Sequence, residues 1–344
     1  MISLGDKILV LDGATGTMIQ RFGLCEKDYS CGPFAGWSKD LSGNNECLNL
    51  TRPDIIKSIH REYIAAGADI IETNTFSANR ISQSEYGCGE YAGKMAFEGA
   101  RIAREAADET MNESGRKIWV AGSMGPTSKS LSLSPDASDP GFRPYSFEDM
   151  KNAYREQAEA LMRGGADIFL SETCFDALNV KAALSAIGEC SVNKGIPIIV
   201  SVSVGDKSGR TLTGQTLEAF YTSIKHGGLL AFGLNCSLGA AELMPLLEDI
   251  SSWSECAVSC YPNAGLPNEM GGYDQSPEEM ASQVKEMASR GLLNIIGGCC
   301  GTSPEHIRAI AEAVRGLAPR KIIDCSVPKS QLKVSGLEAV MIDK

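Results

Sequence analysis

With 344 residues, 43% of them hydrophobic and 22% charged, the chain has the composition of a globular protein able to bury a large core. Its formal charge is −11 and its Lys and Arg residues are scattered, which excludes a basic face for nucleic acid. No apolar run is long enough to span a bilayer, and the N-terminal MISLGDKILVLDGATG enters a strand pattern without a cleavage region, so a cytoplasmic protein with no membrane partner is expected.

In chain order, eight short β-branched or apolar runs recur: KILVLDG (7–13), ADIIETN (68–74), IWVAGSM (118–124), ADIFLSE (166–172), IPIIVSVS (196–203), LLAFGLNC (229–236), CAVSCYP (256–262) and LNIIGGCC (293–300). Segments with helical spacing lie between them, at 53–67, 147–165, 176–188, 217–227, 241–253, 276–291 and 303–316. Several open with Pro, Asp or Ser and close with Gly, as helix ends prefer. Continuous apolar strands alternating with helices fit parallel strands covered on both faces, and eight such units close into a (β/α)8 TIM-type barrel. An open doubly wound sheet usually has fewer strands, and DGATGT lacks the G-x-G-x-x-G spacing.

Two insertions, 21–50 and 125–145, follow the first and third strands and belong on the C-terminal rim of a barrel, where loops are expected to close around a substrate. The periodicity breaks after residue 320. The expected organisation is therefore a barrel domain over 1–320 and a C-terminal extension or linker over 321–344.

Barrel chemistry sits at the C-terminal ends of strands. Those ends carry Asp12-Gly13, Glu72-Thr73-Asn74, Glu172-Thr173, Asn235-Cys236-Ser237, Tyr261-Pro262-Asn263 and Cys299-Cys300. A barrel brings Cys236 and the pair Cys299 and Cys300 to one mouth. Three convergent thiols point to a soft metal, zinc above all, with the fourth tetrahedral position open for substrate. A vicinal disulfide is the alternative, but it is strained and leaves Cys236 unexplained. Of the remaining cysteines among the twelve, Cys174 and Cys260 read as packing, and Cys25, Cys31 and Cys47 as structural.

Asp12 and Glu172 either cap the helices that follow or, beside a thiolate–metal site, bind the ammonium of an amino acid. The backbone amides of Gly13, Ala14 and Thr15 in DGATGT would then receive its carboxylate. Asn74, Asn235 and Asn263 either contact substrate or hold loops through backbone hydrogen bonds. His60, His226 and His306 fall within or at the ends of helices, so no histidine base is expected.

The motifs LDGATGT, ADIIETNTFSAN, GPT, GLNCSLGA, YPNAGLPN and GGCCGTSPEHI, in this order between residues 6 and 318, resemble the homocysteine S-methyltransferase family, and within it the N-terminal homocysteine module of cobalamin-dependent methionine synthase. The resemblance implies a β/α barrel with Cys236, Cys299 and Cys300 as zinc ligands, and with Asp12 and Glu172 at positions associated with homocysteine. It also implies methyl transfer to the homocysteine thiol, giving methionine, from methylcobalamin supplied by a corrinoid-binding partner protein or module, with a folate-binding partner beside it. LKVSGLEAVMI resembles the linker into the folate module. In the absence of substrate, the Asn263 side-chain oxygen is expected at the open zinc position. Another donor, such as betaine or S-methylmethionine, and a homocysteine- or zinc-binding module without turnover remain as alternatives.

Overall fold

The computed structural model describes residues 2, 4–191, 195–323 and 330–343. Its eight barrel strands are β1 (Leu9–Val10), β2 (Ile70–Glu72), β3 (Trp119–Met124), β4 (Ile168–Cys174), β5 (Ile198–Val202), β6 (Ala231–Gly239), β7 (Ala257–Asn263) and β8 (Ile295–Ile296). All pair in parallel, in the order β1-β8-β7-β6-β5-β4-β3-β2. The seam between β1 and β2 is closed by a bridge from Leu11 to Ile70, and the Asp12 amide donates to the Ile70 carbonyl at 3.0 Å. The expected TIM-type barrel is thus the observed fold.

A helix follows each strand: α1 (Pro53–Ala66), α2 (Ala92–Ser114), α3 (Phe147–Gly164), α4 (Ala177–Ser191), α5 (Leu217–Ile224), α6 (Ala240–Trp253), α7 (Pro277–Ser289) and α8 (Pro304–Val314). Their ends follow the local chemistry. Ser146 and Ser276 each form a capping box with the acid three residues on, Asp149 and Glu279, satisfying first-turn amides. Gly67, with φ 117°, ends α1 where the chain must turn left-handed.

The sequence pattern gave no expectation of α2. Its buried face is built from Ala92, Ala96, Gly99, Ala100, Ala103, Ala106 and Ala107, with few large apolar residues to mark a period. Small residues are required there because the helix lies close to the barrel. A Cβ added at Gly99 would stand 2.5 Å from Thr75 Cγ2 and 2.7 Å from Asn49 Nδ2.

Inside the barrel, Leu9, Leu11, Ile70, Ile168, Leu170 and Ile199 fill the lower layers, and a second, larger cluster packs strands against helices. The 21–50 insertion folds into short helical turns, with Phe34 packed against Trp37 and Tyr91. Its Cys25 is exposed, Cys31 half-buried and Cys47 buried, and none joins the three-sulfur cluster. In the 125–145 insertion, Asp176 accepts hydrogen bonds from Ser130 and Ser132.

Of the segment expected as an extension, residues 324–329 and 344 lie outside the described residues. Gln331–Ser335 and Ala339–Asp343 form an antiparallel hairpin, β9 and β10. Its turn rests on the entry to α5: the Thr216 amide donates to the Leu337 carbonyl at 2.9 Å, and Lys333 pairs with Glu218 at 2.5 Å. Among the described residues, no helix is long and apolar enough to cross a membrane.

Gly233 in β6 has no room for a side chain, since a Cβ would lie 1.8 Å from the Ser259 carbonyl oxygen. Gly233→Ala is expected to cost about 3 kcal/mol or more of unfolding free energy, measured by urea denaturation. A loss below about 0.5 kcal/mol would contradict this packing.

Candidate active site

Cys236 sits where β6 is interrupted by a bulge between Asn235 and Gly239. Cys236 and Ser237 have φ of 61° and 60°, and across the barrel Thr173 has φ 54°. Side chains seldom occupy this left-handed region, at a cost of about 1–2 kcal/mol each. The turn redirects the Cys236 thiol toward the end of β8, where the Cys299 amide donates to the Pro262 carbonyl at 2.8 Å and the Ala264 amide to the Cys300 carbonyl at 2.9 Å.

The three Sγ atoms lie within 4.8 Å of one another, and Cys236 Sγ is 3.8 Å from Cys300 Sγ. Two sulfurs each about 2.3 Å from a tetrahedral zinc stand about 3.8 Å apart, so the cluster fits such an ion, with one position left open. Hydrogen bonds from Cys236 and Cys299 pull the Cys300 thiol down to about 3, while Cys299 is held up by the same contacts and by burial.

A cavity of about 600 Å³ opens beside the sulfurs. Gly13, Ala14, Thr15, Glu46, Glu72, Glu172 and all three cysteines line it, while among the described residues no Lys, Arg or His does. Burial pushes the Glu172 carboxyl up to about 7; the Ser123 hydroxyl, which donates to it, opposes this and Cys236 adds to it. Asp12 and Glu72 are also raised well above the usual range, chiefly by burial and further by the neighbouring carboxyls. Glu72 and Glu172 at the cavity, with Asp12 buried behind its lining, are crowded without a countercharge among the described lining residues and make it a receptor for a cation such as an ammonium group.

Neither expected acid is a helix cap. Asp12 Oδ2 accepts the Glu72 amide at 3.0 Å while Oδ1 is buried without a partner, and Glu172 lies within β4. In the DGATGT turn, the Ala14 amide donates to Thr302 Oγ1 at 3.1 Å, while Gly13 and Thr15 line the cavity. Gly13 is required there, because a Cβ would meet Thr302 Oγ1 and the Tyr63 ring at 2.8 Å.

The asparagines divide. Asn235 Oδ1 accepts from the Thr173 amide at 2.9 Å and from Ser201 Oγ at 2.7 Å, while Nδ2 donates to Thr173 Oγ1 and toward Cys299 Sγ. It lies behind the cavity wall. Asn74 Nδ2 bonds the Asn45 carbonyl and Asn49. Asn263 is buried with Oδ1 unpartnered and does not line the cavity. His60 is buried within α1 and lowered to about 4 by burial, far from any rim role. Sequence reasoning assigned no role to Glu72, Tyr261 and Tyr273, which all line the cavity; Tyr261 is 1% exposed with an unpartnered hydroxyl. The signal for Glu72 was available, as a third acid at a strand end. Tyr273 lies in a loop with no periodicity.

The family model for homocysteine S-methyltransferase matches residues 9–314. Among solved structures, the oxidized form of the homocysteine methyltransferase MmuM from Escherichia coli is 22% identical, with a TM-score of 0.68 over 89% of this chain and 95% of that one. Its metallated form gives 22% identity and a TM-score of 0.65 over 89% and 96%. The 6-hydroxypseudooxynicotine amine oxidase from Pseudomonas geniculata N1 is 12% identical, with a TM-score of 0.53 over 91% of this chain and 49% of that one. At these identities the structural likenesses concern the fold.

Removing one thiol should open the cluster: Cys300→Ser is expected to weaken zinc binding by about 100-fold or more, read by metal analysis after competition with a chelator, with unchanged circular dichroism. A second expectation concerns pH. The unfolded chain loses the Glu172 proton near 4.5 whereas the folded, metal-free protein keeps it to about 7. Stability conferred below pH 4.5 is therefore lost as pH rises to about 7, by on the order of 3 kcal/mol from this group. Glu172→Gln should flatten that slope in denaturation experiments; an unchanged slope would refute the assignment.

Proposed function

The chain belongs to the homocysteine S-methyltransferase family, and we propose that it transfers a methyl group to the thiol of homocysteine, giving methionine, with zinc held by Cys236, Cys299 and Cys300 and methylcobalamin on a partner protein or module as donor. The observation that carries this reading is the three-sulfur cluster at the edge of a cation-seeking cavity. The corrinoid carrier and a folate-binding partner rest on the motif resemblance.

A zinc ion in this cradle would supply Lewis acidity that lets a substrate thiol bind in its ionised form at neutral pH. The residues of the chain do the rest. Glu172 and Asp12, with Glu72 beside them, take the substrate ammonium, and the Gly13 and Thr15 amides take its carboxylate. These two anchors lie at the ends of β1, β2 and β4, so the substrate reaches across the mouth and presents its sulfur to the cluster on β6 and β8. Asn235 keeps Cys299 and the Thr173 turn in place. The buried floor excludes water from below, and the sulfur must face the open rim. There the carbon–sulfur bond forms as the donor–carbon bond breaks, the thiol proton having already left to solvent. Orientation of the two reactants supplies much of the rate gain.

Purified zinc-loaded protein given homocysteine and methylcobalamin is expected to form methionine with loss of the methylcobalamin spectrum, and Cys300→Ser to form none. Methionine from betaine or S-methylmethionine but not from methylcobalamin would transfer the reading to another donor. No product from any donor, with homocysteine bound, would leave a binding module.

A further inference from the structure

Side chains alternate along a strand, so the residue two places above an interior apolar one also faces the barrel lumen. Ile70, Ala121, Leu170 and Ile199 belong to the interior cluster, which puts Glu72, Ser123, Glu172 and Ser201 on the layer above. From β7, Ala257 and Tyr261 are both members of that cluster. Tyr261 pairs in register with Asn235 on β6, and the cluster packs against Cys299 on the β8 side. Its ring therefore starts beneath the sulfurs.

In the strand order, β7 lies four places from β3, on the far side of the lumen, and β3 is flanked by β2 and β4. A tyrosine pointing inward from β7 thus extends from the sulfur end of the cavity toward Ser123, Glu72 and Glu172 at the other. Tyr261 lines the cavity while only 1% exposed, and its hydroxyl has no hydrogen-bond partner among the described residues. The Ser201 hydroxyl gives its hydrogen to Asn235 Oδ1 at 2.7 Å, and the Ser123 hydroxyl gives its own to Glu172. Neither serine hydrogen is left for the phenol. Burial, and beyond it the charges of Glu172 and Glu72, hold the phenol well above its ordinary range, so it stays neutral and can both donate and accept.

A buried hydroxyl left without a partner costs about 1–3 kcal/mol. The carboxyls of the cavity can take its hydrogen, but its lone pairs need a donor, and among the described residues no Lys, Arg or His lines the space. An N–H carried in by the ligand is the donor that fits.

We propose that Tyr261 is a substrate-binding residue: its hydroxyl oxygen accepts a hydrogen bond from the ammonium of the amino-acid thiol, and its own hydrogen goes to a carboxylate of Glu72 or Glu172. The proposal rests on homocysteine being the substrate. It makes Tyr261 a determinant of specificity. The acids select positive charge of any kind, whereas a directed lone pair selects an N–H at one place, and the length of the ring fixes how far that place lies from the sulfurs.

Tyr261→Phe keeps the ring and removes the hydroxyl. In zinc-loaded protein its Kd for homocysteine by calorimetry should rise about tenfold or more, while the Kd for γ-mercaptobutyrate, which is homocysteine without the amino group, should change by less than about twofold. Zinc content and circular dichroism should match wild type. In wild type, homocysteine should also produce a tyrosine ultraviolet difference band that Tyr261→Phe lacks and that γ-mercaptobutyrate does not elicit. A hydroxyl that only held a water or the cavity wall would affect both ligands alike. Equal homocysteine affinity in wild type and variant, an equal loss for both ligands, or homocysteine binding without the band would each overturn the contact while leaving the functional reading in place. No homocysteine binding by wild type would overturn the functional reading, and the contact with it.

Discussion

The side-chain amide of Asn235 holds together three strand ends that the barrel alone would leave independent. Its oxygen takes the Thr173 amide from β4 and the Ser201 hydroxyl from β5, and its nitrogen reaches Thr173 Oγ1 and the Cys299 sulfur on β8. Thr173 and Cys236 both occupy backbone conformations that side chains avoid. Such turns persist only where surrounding bonds over-determine them. Buried hydrogen bonds to one carboxamide are suited to this, because breaking any of them strands a polar group in a dry interior at about 1–3 kcal/mol. The approach of Cys236 to Cys300 thus depends on a residue that does not face the cavity.

The same division between visible groups and hidden supports explains what the sequence made legible. Strand ends and the three cysteines could be read because strand periodicity and thiol chemistry are local signals, and both survive without coordinates. Asp12 and Glu172 were recognisable as acids at strand ends. The third acid, Glu72, was equally visible, but only burial without a countercharge gives it meaning. Asn235 carried no signal separating a substrate contact from a support, since both need a polar side chain beside the site. The long helix Ala92–Ser114 went unread for a different reason: close helix–barrel packing demanded alanine and glycine, which blur a hydrophobic period. Likewise the Ala14 amide, one of three expected to hold a carboxylate, is occupied by Thr302, a residue almost the whole chain length away.

Electrostatics divides the cavity into two ends. Carboxyls at the ends of β1, β2 and β4 favour a cation, while the sulfur cluster at the ends of β6 and β8 offers three soft donors to a metal. An amino acid with a terminal thiol matches this layout, with its ammonium at one end and its sulfur at the other. The barrel supplies the separation through its strand order, and the apolar layers below prevent water from screening either end.

The seam of the barrel ties this chemistry to the survival of the fold. β1 and β8 are two residues long, and across the gap to β2 the Asp12 carboxylate accepts a backbone amide that a longer ladder would have paired. A substitution at Asp12 would loosen barrel closure and, on the proposed function, alter substrate recognition with it. Over evolutionary time, such a position can hardly be traded for a new specificity by single steps. Divergence within this architecture should therefore run through the rim loops, which can vary without opening the seam.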